Sequence, residues 1–179
     1  MSGHERVLST GTYLDSLRFR FHLGQRFGGS PACVEAQIVG EHGTTEVFLW
    51  SSARIAGKLV SELLEPNSRQ SREGFRHDIE RQVRYANIAI IEGIGASQHG
   101  IGMACARIAE ILLRDEAAVI PVASYNAENG VTLSLPSVLG CSGVARIIEP
   151  PMSDEEREAL RHSADMLKAA LARVQFSPS

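Results

Sequence analysis

No stretch of this 179-residue sequence is apolar for long enough to cross a bilayer, and its amino-terminal residues, Met1 to Thr10, are mostly polar. A large excess of charge of one sign is also missing: a net charge of -3 gives no electrostatic reason for nucleic acid or an anionic membrane as a partner. The three cysteines, Cys33, Cys105 and Cys141, are odd in number, far apart and without metal-ligand spacing. That indicates neither a disulfide framework nor a zinc site, and reads them as small buried hydrophobes. There is no complete G-x-G-x-x-G loop either. Gly93-Ile94-Gly95 meets Gln98 at the third glycine position, and Gly100-Ile101-Gly102 meets Cys105 there. Those glycines are better explained as a break between two packed helices. What remains, 44% hydrophobic and 22% charged residues, describes an ordinary soluble globular protein with a cytoplasmic location as the default. The length suits one domain, residues 1–179, since about 150 residues per domain is usual.

The organisation read along the chain is α+β, helices mixed with a largely antiparallel sheet. A short strand at Arg6 to Leu8 leads to a turn at Gly11. Thr12 is the expected N-cap, with Asp15 as its capping-box acid, of a helix reaching about Phe27 and stopped by Gly28-Gly29. Strands are expected at Val34 to Val39 and Glu46 to Ile55, with irregular chain over 61–71 and a break at Pro66-Asn67-Ser68. The apolar residues Phe75, Ile79, Val83, Ala86 and Ile90 recur every three or four positions and predict one continuous helix. A second helix, Gln98 to Arg114, should bury Ile101, Cys105, Ile108 and Leu112. The period then shortens: Ala117 to Ser124 and Val131 to Leu135 form a hairpin through Glu128-Asn129-Gly130, and Val144 to Ile148 continues the sheet. After Pro150-Pro151, Ser153 and Glu156 form a capping box for a closing helix with Leu160, Ala164, Leu167, Leu171 and Val174 on one face.

Two stretches carry chemistry. Gly40-Glu41-His42-Gly43 places a side chain that titrates near neutral pH where the backbone can turn sharply and approach a ligand. A histidine in such a turn is also commonly just solvated. On the first helix, Asp15 and Arg18 are one turn apart and share a face. They form either a plain helix ion pair, worth roughly 0.2–0.5 kcal/mol, or two groups aimed at one cleft. In the second case the carboxylate fixes the histidine tautomer and the planar guanidinium fork grips a substrate carboxylate. Arg20, about 200° further round the helix, faces away, towards solvent or a subunit interface. The other histidines, His4, His22, His77, His99 and His162, lack metal-ligand spacing. Ser16, Ser51 and Ser52 lack a G-x-S-x-G elbow, which disfavours a serine hydrolase.

Taken together, Gly11-Thr12-Tyr13-Leu14-Asp15-Ser16-Leu17-Arg18-Phe19-Arg20, Gly40-Glu41-His42-Gly43 and Trp50-Ser51 resemble the carboxy-terminal, substrate-binding domain of the NAD-dependent L-lactate/malate dehydrogenase family. The likeness runs from about Arg6 to Leu171, with further landmarks at Gly100-Ile101-Gly102 and Leu135-Pro136. It implies that His42 is the proton donor and acceptor, Asp15 orients it, and Arg18 binds the carboxylate of a small 2-oxo or 2-hydroxy acid. Ser97 stands where the family often has a threonine lining the substrate pocket. Glu41 is more similar to lactate than to malate members. Thr44 departs from the family's usual aspartate. Glu35 replaces the histidine of sugar-bisphosphate-activated members, so Arg20 alone is half of such a site.

The resemblance also implies NAD as cofactor and a homo-oligomer. The family's nucleotide-binding domain precedes this region and is expected to be missing here, so a separate nucleotide-binding domain is a possible partner and the isolated chain is expected to be inactive. The expectation is therefore the substrate half of a lactate-type dehydrogenase. The alternatives are a malate or other 2-hydroxyacid dehydrogenase, or an inactive oligomerising module.

Overall fold

The computed structural model describes residues 3–64 and 71–175. A 3-10 turn, Gly3–Arg6, opens the chain in place of the expected strand, and only Ser9 joins a sheet, by a bridge to Ala123. Helix α1, Tyr13–Phe27, follows and ends at Gly28 in the left-handed region. Two short strands, β1 (Val34–Glu35) and β2 (Ile38–Val39), stand where one strand was expected. The second expected strand likewise reduces to β3 (Val47–Phe48) and β4 (Arg54–Ile55), with β5 (Lys58–Leu59) added after it. Strand β4 lies between β1 and β5, while β2 and β3 form a separate antiparallel pair. Each run changes its pairing partner midway, which is why its apolar alternation did not produce one long strand. A single helical turn, α2 (Val60–Leu63), follows; the break expected at 66–68 lies outside the described residues.

The helix expected to run from Phe75 to Ile90 is two helices. α3 spans Arg72–Arg84 and α4 spans Ala86–Ile94, hinged at Tyr85. Phe75, Ile79 and Val83 are buried as the apolar stripe requires, whereas no residue of α4 is buried. The switch occurs where Arg84 is captured by the carbonyls of Thr44 and Glu46, which ends α3 against the histidine loop. Gly95, in the left-handed region, closes α4, and α5, Gln98–Arg114, begins after Ser97. On α5 the buried face is Ala104, Ile108 and Ile111. Cys105 is exposed, as are Cys33 and Cys141, so the cysteines are not core residues. The small Ala104 rather than Cys105 sits in the cluster with Tyr13, Ile108, Ile111, Val122 and Leu139.

Strands β6 (Ala118–Asn126), β7 (Val131–Gly140) and β8 (Gly143–Ile147) form the expected antiparallel sheet in that order. Its first turn is closed by Asn126 Oδ1, which accepts from the Asn129 amide. Helix α6, Asp154–Gln175, starts at the expected capping box: the Ser153 amide donates to Glu156 and the Glu156 amide donates to Ser153 Oγ. Its apolar stripe is buried at Leu160 and Ala164 and half-buried at Leu167, but Leu171 and Val174 are exposed.

Three apolar clusters result. One packs α1 and α3 around Phe19, Phe48, Trp50 and Phe75; one packs α5 on the β6–β8 sheet; one packs α6 over β2, β3 and β7. The connection from β2 to β3, residues 40–46, lies where the first and third clusters meet. It carries His42.

Candidate active site

Helix α1 brings the carboxylate to the histidine because its start is latched to the strand that leads into the loop. The Ile38 amide donates to Ser16 Oγ at 2.9 Å, and Thr12 Oγ1 donates to the Ile38 carbonyl at 2.5 Å. One turn later Arg20 Nε donates to the Ala36 carbonyl at 2.9 Å. Thr12 therefore stands at the N-cap position as expected but gives no side-chain cap, and Asp15 does not act as a capping-box acid; both side chains are taken by tertiary bonds. Arg20 does face away from Asp15, but it is tied along the strand rather than free in solvent, and burial lowers its pKa.

The loop itself is held on both sides of the histidine. Gly40, at φ +89°, pairs with Ser134 of β7 through two backbone hydrogen bonds of 2.8 and 2.9 Å. The Glu41 amide donates to Ser163 Oγ of α6 at 2.8 Å, and the Glu41 carboxylate accepts from Thr45 Oγ1. On the outgoing side Arg84 donates to the Thr44 carbonyl at 2.9 Å and to the Glu46 carbonyl at 3.0 Å. A backbone carbonyl at Thr44 thus braces the loop where an acidic side chain was the family's pattern.

So anchored, His42 Nδ1 lies 2.6 Å from Asp15 Oδ2, while Arg18 Nη1 donates to Asp15 Oδ1 at 3.1 Å. Asp15 is 3% exposed, so this is a buried carboxylate shared by two cationic partners. A carboxylate only accepts, which puts a proton on Nδ1 and leaves Nε2 as the ring nitrogen for exchange. The hydrogen bond to Asp15 is the main cause that raises the His42 pKa; desolvation opposes it, and the charges of Asp15 and Glu46 add to the rise. The raised value keeps the imidazolium populated nearer neutral pH.

Asp15, Arg18, His42 and Ser97, the four residues singled out from the sequence, line one open cleft of about 600 Å³. Leu14, Ile88, Ile91 and Ile101 give it an apolar side, and Thr44, Asn87 and Arg84 add polar groups. Three residues here were not singled out. Ser163 and Arg84 hold the loop, and Glu46 sits beneath it, 5% exposed. Glu46 stands four places after His42, and that spacing was the only sequence signal for it. Ligating atoms of Asp15, His42 and Glu46 all lie within 4.8 Å of one another. Two of them are already joined by a hydrogen bond, and the guanidiniums of Arg18 and Arg84 flank the group, so the arrangement favours proton chemistry over cation binding.

A family model described as lactate/malate dehydrogenase, alpha/beta C-terminal domain, matches residues 12–176. Among curated relatives, an L-lactate dehydrogenase of Thermus aquaticus is 41% identical over 176 residues, covering 96% of this chain and 57% of the relative. An L-lactate dehydrogenase of Chloroherpeton thalassium is 41% identical over 169 residues, covering 94% and 55%. The chain thus spans about half the length of the relatives it matches. Among solved structures, a lactate dehydrogenase from a Medee basin deep-sea metagenome library superposes with a TM-score of 0.89 at 31% identity, covering 97% of this chain and 56% of that one. The minor L-lactate dehydrogenase of Enterococcus mundtii, in a ligand-bound form, gives 0.88 at 32% identity with the same coverage.

Proposed function

The chain belongs to the lactate/malate dehydrogenase family through that family's α/β C-terminal domain, and from that premise we propose that it is the substrate and proton-transfer half of an L-lactate dehydrogenase. The observation that carries the proposal is the 2.6 Å contact between His42 Nδ1 and a buried Asp15, with Arg18 lining the same cleft. In this reading Arg18 grips the carboxylate of pyruvate with the guanidinium hydrogens that Asp15 does not occupy. His42 gives the Nε2 proton to the keto oxygen and takes it back in the reverse direction. Asp15 keeps Nδ1 protonated and stabilises the imidazolium. Ser97, at the start of α5, is a polar contact on the cleft wall.

Lactate chemistry is favoured over malate by the apolar side of the cleft, Leu14, Ile88, Ile91 and Ile101. The other guanidinium there, Arg84, commits both terminal nitrogens to the Thr44 and Glu46 carbonyls, whereas Arg18 commits one to Asp15, so a second substrate carboxylate would find no arginine with a free terminal nitrogen among the described lining residues. NAD, when bound, supplies or accepts the hydride. The residues present fit its ring end: Ile88 and Ile91, each about half exposed, give an apolar surface beside His42 for a flat heterocycle. The proposal assigns the nucleotide end to a separate domain, and extends to a homo-oligomeric, cytoplasmic protein.

The test mixes the purified chain with a separately produced nucleotide-binding domain of a relative, pyruvate and NADH, and follows NADH absorbance. Turnover is expected with both parts, not with the chain alone, and should vanish in His42→Asn. A folded, associated mixture without turnover, or a His42→Asn variant that retains it, defeats the proposal.

A further inference from the structure

Glu46 is a buried ionisable group in the cleft to which the proton step gives no role. It sits where the histidine loop re-enters β3, with a side chain 3% exposed. Among the described residues its Oε1 has no hydrogen-bond partner; Arg84 Nη1 is 3.8 Å away, within ion-pair range but too far for a hydrogen bond. A buried carboxylate oxygen with no donor is costly, and replacing it with an apolar atom would relieve that cost. Its position gives it something to act on, since one of its carboxylate oxygens is within 4.8 Å of an Asp15 carboxylate oxygen and a His42 ring nitrogen.

The charged groups facing this space come from every element around it. Helix α1 supplies Asp15 and Arg18. Helix α3 supplies Arg84, together with Glu80, which lies 3.8 Å from Arg84. The loop supplies His42, while Glu41 is turned to Thr45. Burial, followed by the Asp15 charge, pushes the Glu46 carboxyl up to about 7, against the pull of Arg84, His42 and Arg18. Conversely, Glu46 is one of the charges that raise His42. Two groups that attract each other when both are charged exchange occupancy: a proton on His42 favours a bare Glu46, and its loss favours a protonated one.

We propose that Glu46 is a positioning residue for the proton step, a buried acid that accepts a proton from solvent when His42 gives one to substrate and returns it when His42 is recharged. The charge beside Arg18 is then constant. With His42 protonated, Asp15 and Glu46 are both anionic and the trio sums to minus one; with His42 neutral and Glu46 protonated, the sum is the same. Arg18 therefore keeps one electrostatic setting for its carboxylate at both ends of the reaction. The inference rests on His42 being the proton carrier, but the coupling between the two groups is measurable without turnover.

The experiment is an NMR titration of the full 179-residue chain, reading the His42 ring and the Glu46 carboxyl. In Glu46→Gln the His42 midpoint should fall by about 1 pH unit or more, and Glu46→Asp, which keeps the charge, should restore part of the shift. In His42→Asn the Glu46 midpoint should rise. A His42 midpoint unmoved in a folded Glu46→Gln overturns the proposal; should that variant not fold, an unmoved Glu46 midpoint in His42→Asn overturns it instead. An inert mixture in the turnover assay would sink the dehydrogenase reading and leave this coupling standing, whereas uncoupled titrations with full turnover would sink only the role of Glu46.

Discussion

Replacing Gly40 with alanine tests whether the histidine loop is held as described. At φ +89° a side chain costs roughly 1–2 kcal/mol in backbone strain alone. The new Cβ would lie 2.7 Å from Ser163 Oγ and 3.2 Å from Ser163 Cβ, and Ser163 is fully buried with nowhere to retreat. Rotating the hydroxyl away breaks the bond from the Glu41 amide, and a buried donor left alone costs about 1–3 kcal/mol. The sum is roughly 2–5 kcal/mol, a large share of the ~5–15 kcal/mol that holds a typical domain folded. Urea unfolding followed by the fluorescence of Trp50, the one tryptophan and 6% exposed, should show the midpoint falling with little change in slope. Ser163→Ala alone should cost about 1–3 kcal/mol by orphaning the same amide. The double variant should cost less than the two together, because the clash disappears and the amide is lost only once. A Gly40→Ala cost below about 1 kcal/mol, or full additivity with Ser163→Ala, would refute the claim that α6 clamps the loop through this contact.

Glu46→Gln should stabilise the chain at pH 8 and hardly affect it at pH 4.5, as read by denaturant unfolding at each pH. The carboxyl is raised from 4.5 to about 7 in the fold, so the folded state binds more protons in that window and stability falls as pH rises through it. The penalty, fully present above pH 7, is at most about 3 kcal/mol, less what Arg84 loses with its partner. For His42 the raised folded value contributes stability that is fully present below the ordinary imidazole range and lost as pH rises through the folded value. Asp15→Asn removes the largest cause of that rise, so the acid-side stability should disappear and the pH at which the His42 ring titrates should fall. Arg18→Lys keeps a charge but loses the two-pronged grip, and in the reconstituted assay KM for pyruvate should rise by ~10-fold or more, with a smaller change in kcat. An unchanged KM would remove Arg18 from the carboxylate site.

How much of this was legible in the sequence depended on whether a residue's job was local. The α+β class, the sheet β6–β7–β8 and the capping box of α6 follow from near neighbours, and all are present. The strands around the loop were misread as two long ones because each run, Val34 to Val39 and Glu46 to Ile55, divides between two partners. The break at Tyr85 was invisible because its cause, the capture of Arg84 by Thr44 and Glu46, joins residues about forty positions apart. Thr12 and Asp15 show the same limit from the other side. Their spacing fits a capping box, yet Ile38 claims one side chain and His42 with Arg18 the other.

The site divides along the same line. Asp15, Arg18 and His42 are conspicuous because the chemistry they offer is written in their types and in the glycines beside the histidine. Ser163 and Glu46 are not, since serine on a helix and glutamate before a strand are ordinary until a fold buries them. Burial is what changes their meaning. A serine with no exposure accepting the amide next to the histidine fixes where the imidazole stands. A carboxyl with an unpartnered oxygen beside Asp15 changes which protons that imidazole will hold. One sets geometry and the other charge, so Ser163→Ala should displace the His42 ring and, by weakening its bond to Asp15, lower its titration midpoint as well. Glu46→Gln should move the titration while the ring stays in place. Ring-to-Asp15 distances in the two variants' structures, set beside their His42 titration midpoints, separate the two effects, and a Glu46→Gln variant whose ring moves away from Asp15 would show that the division is false.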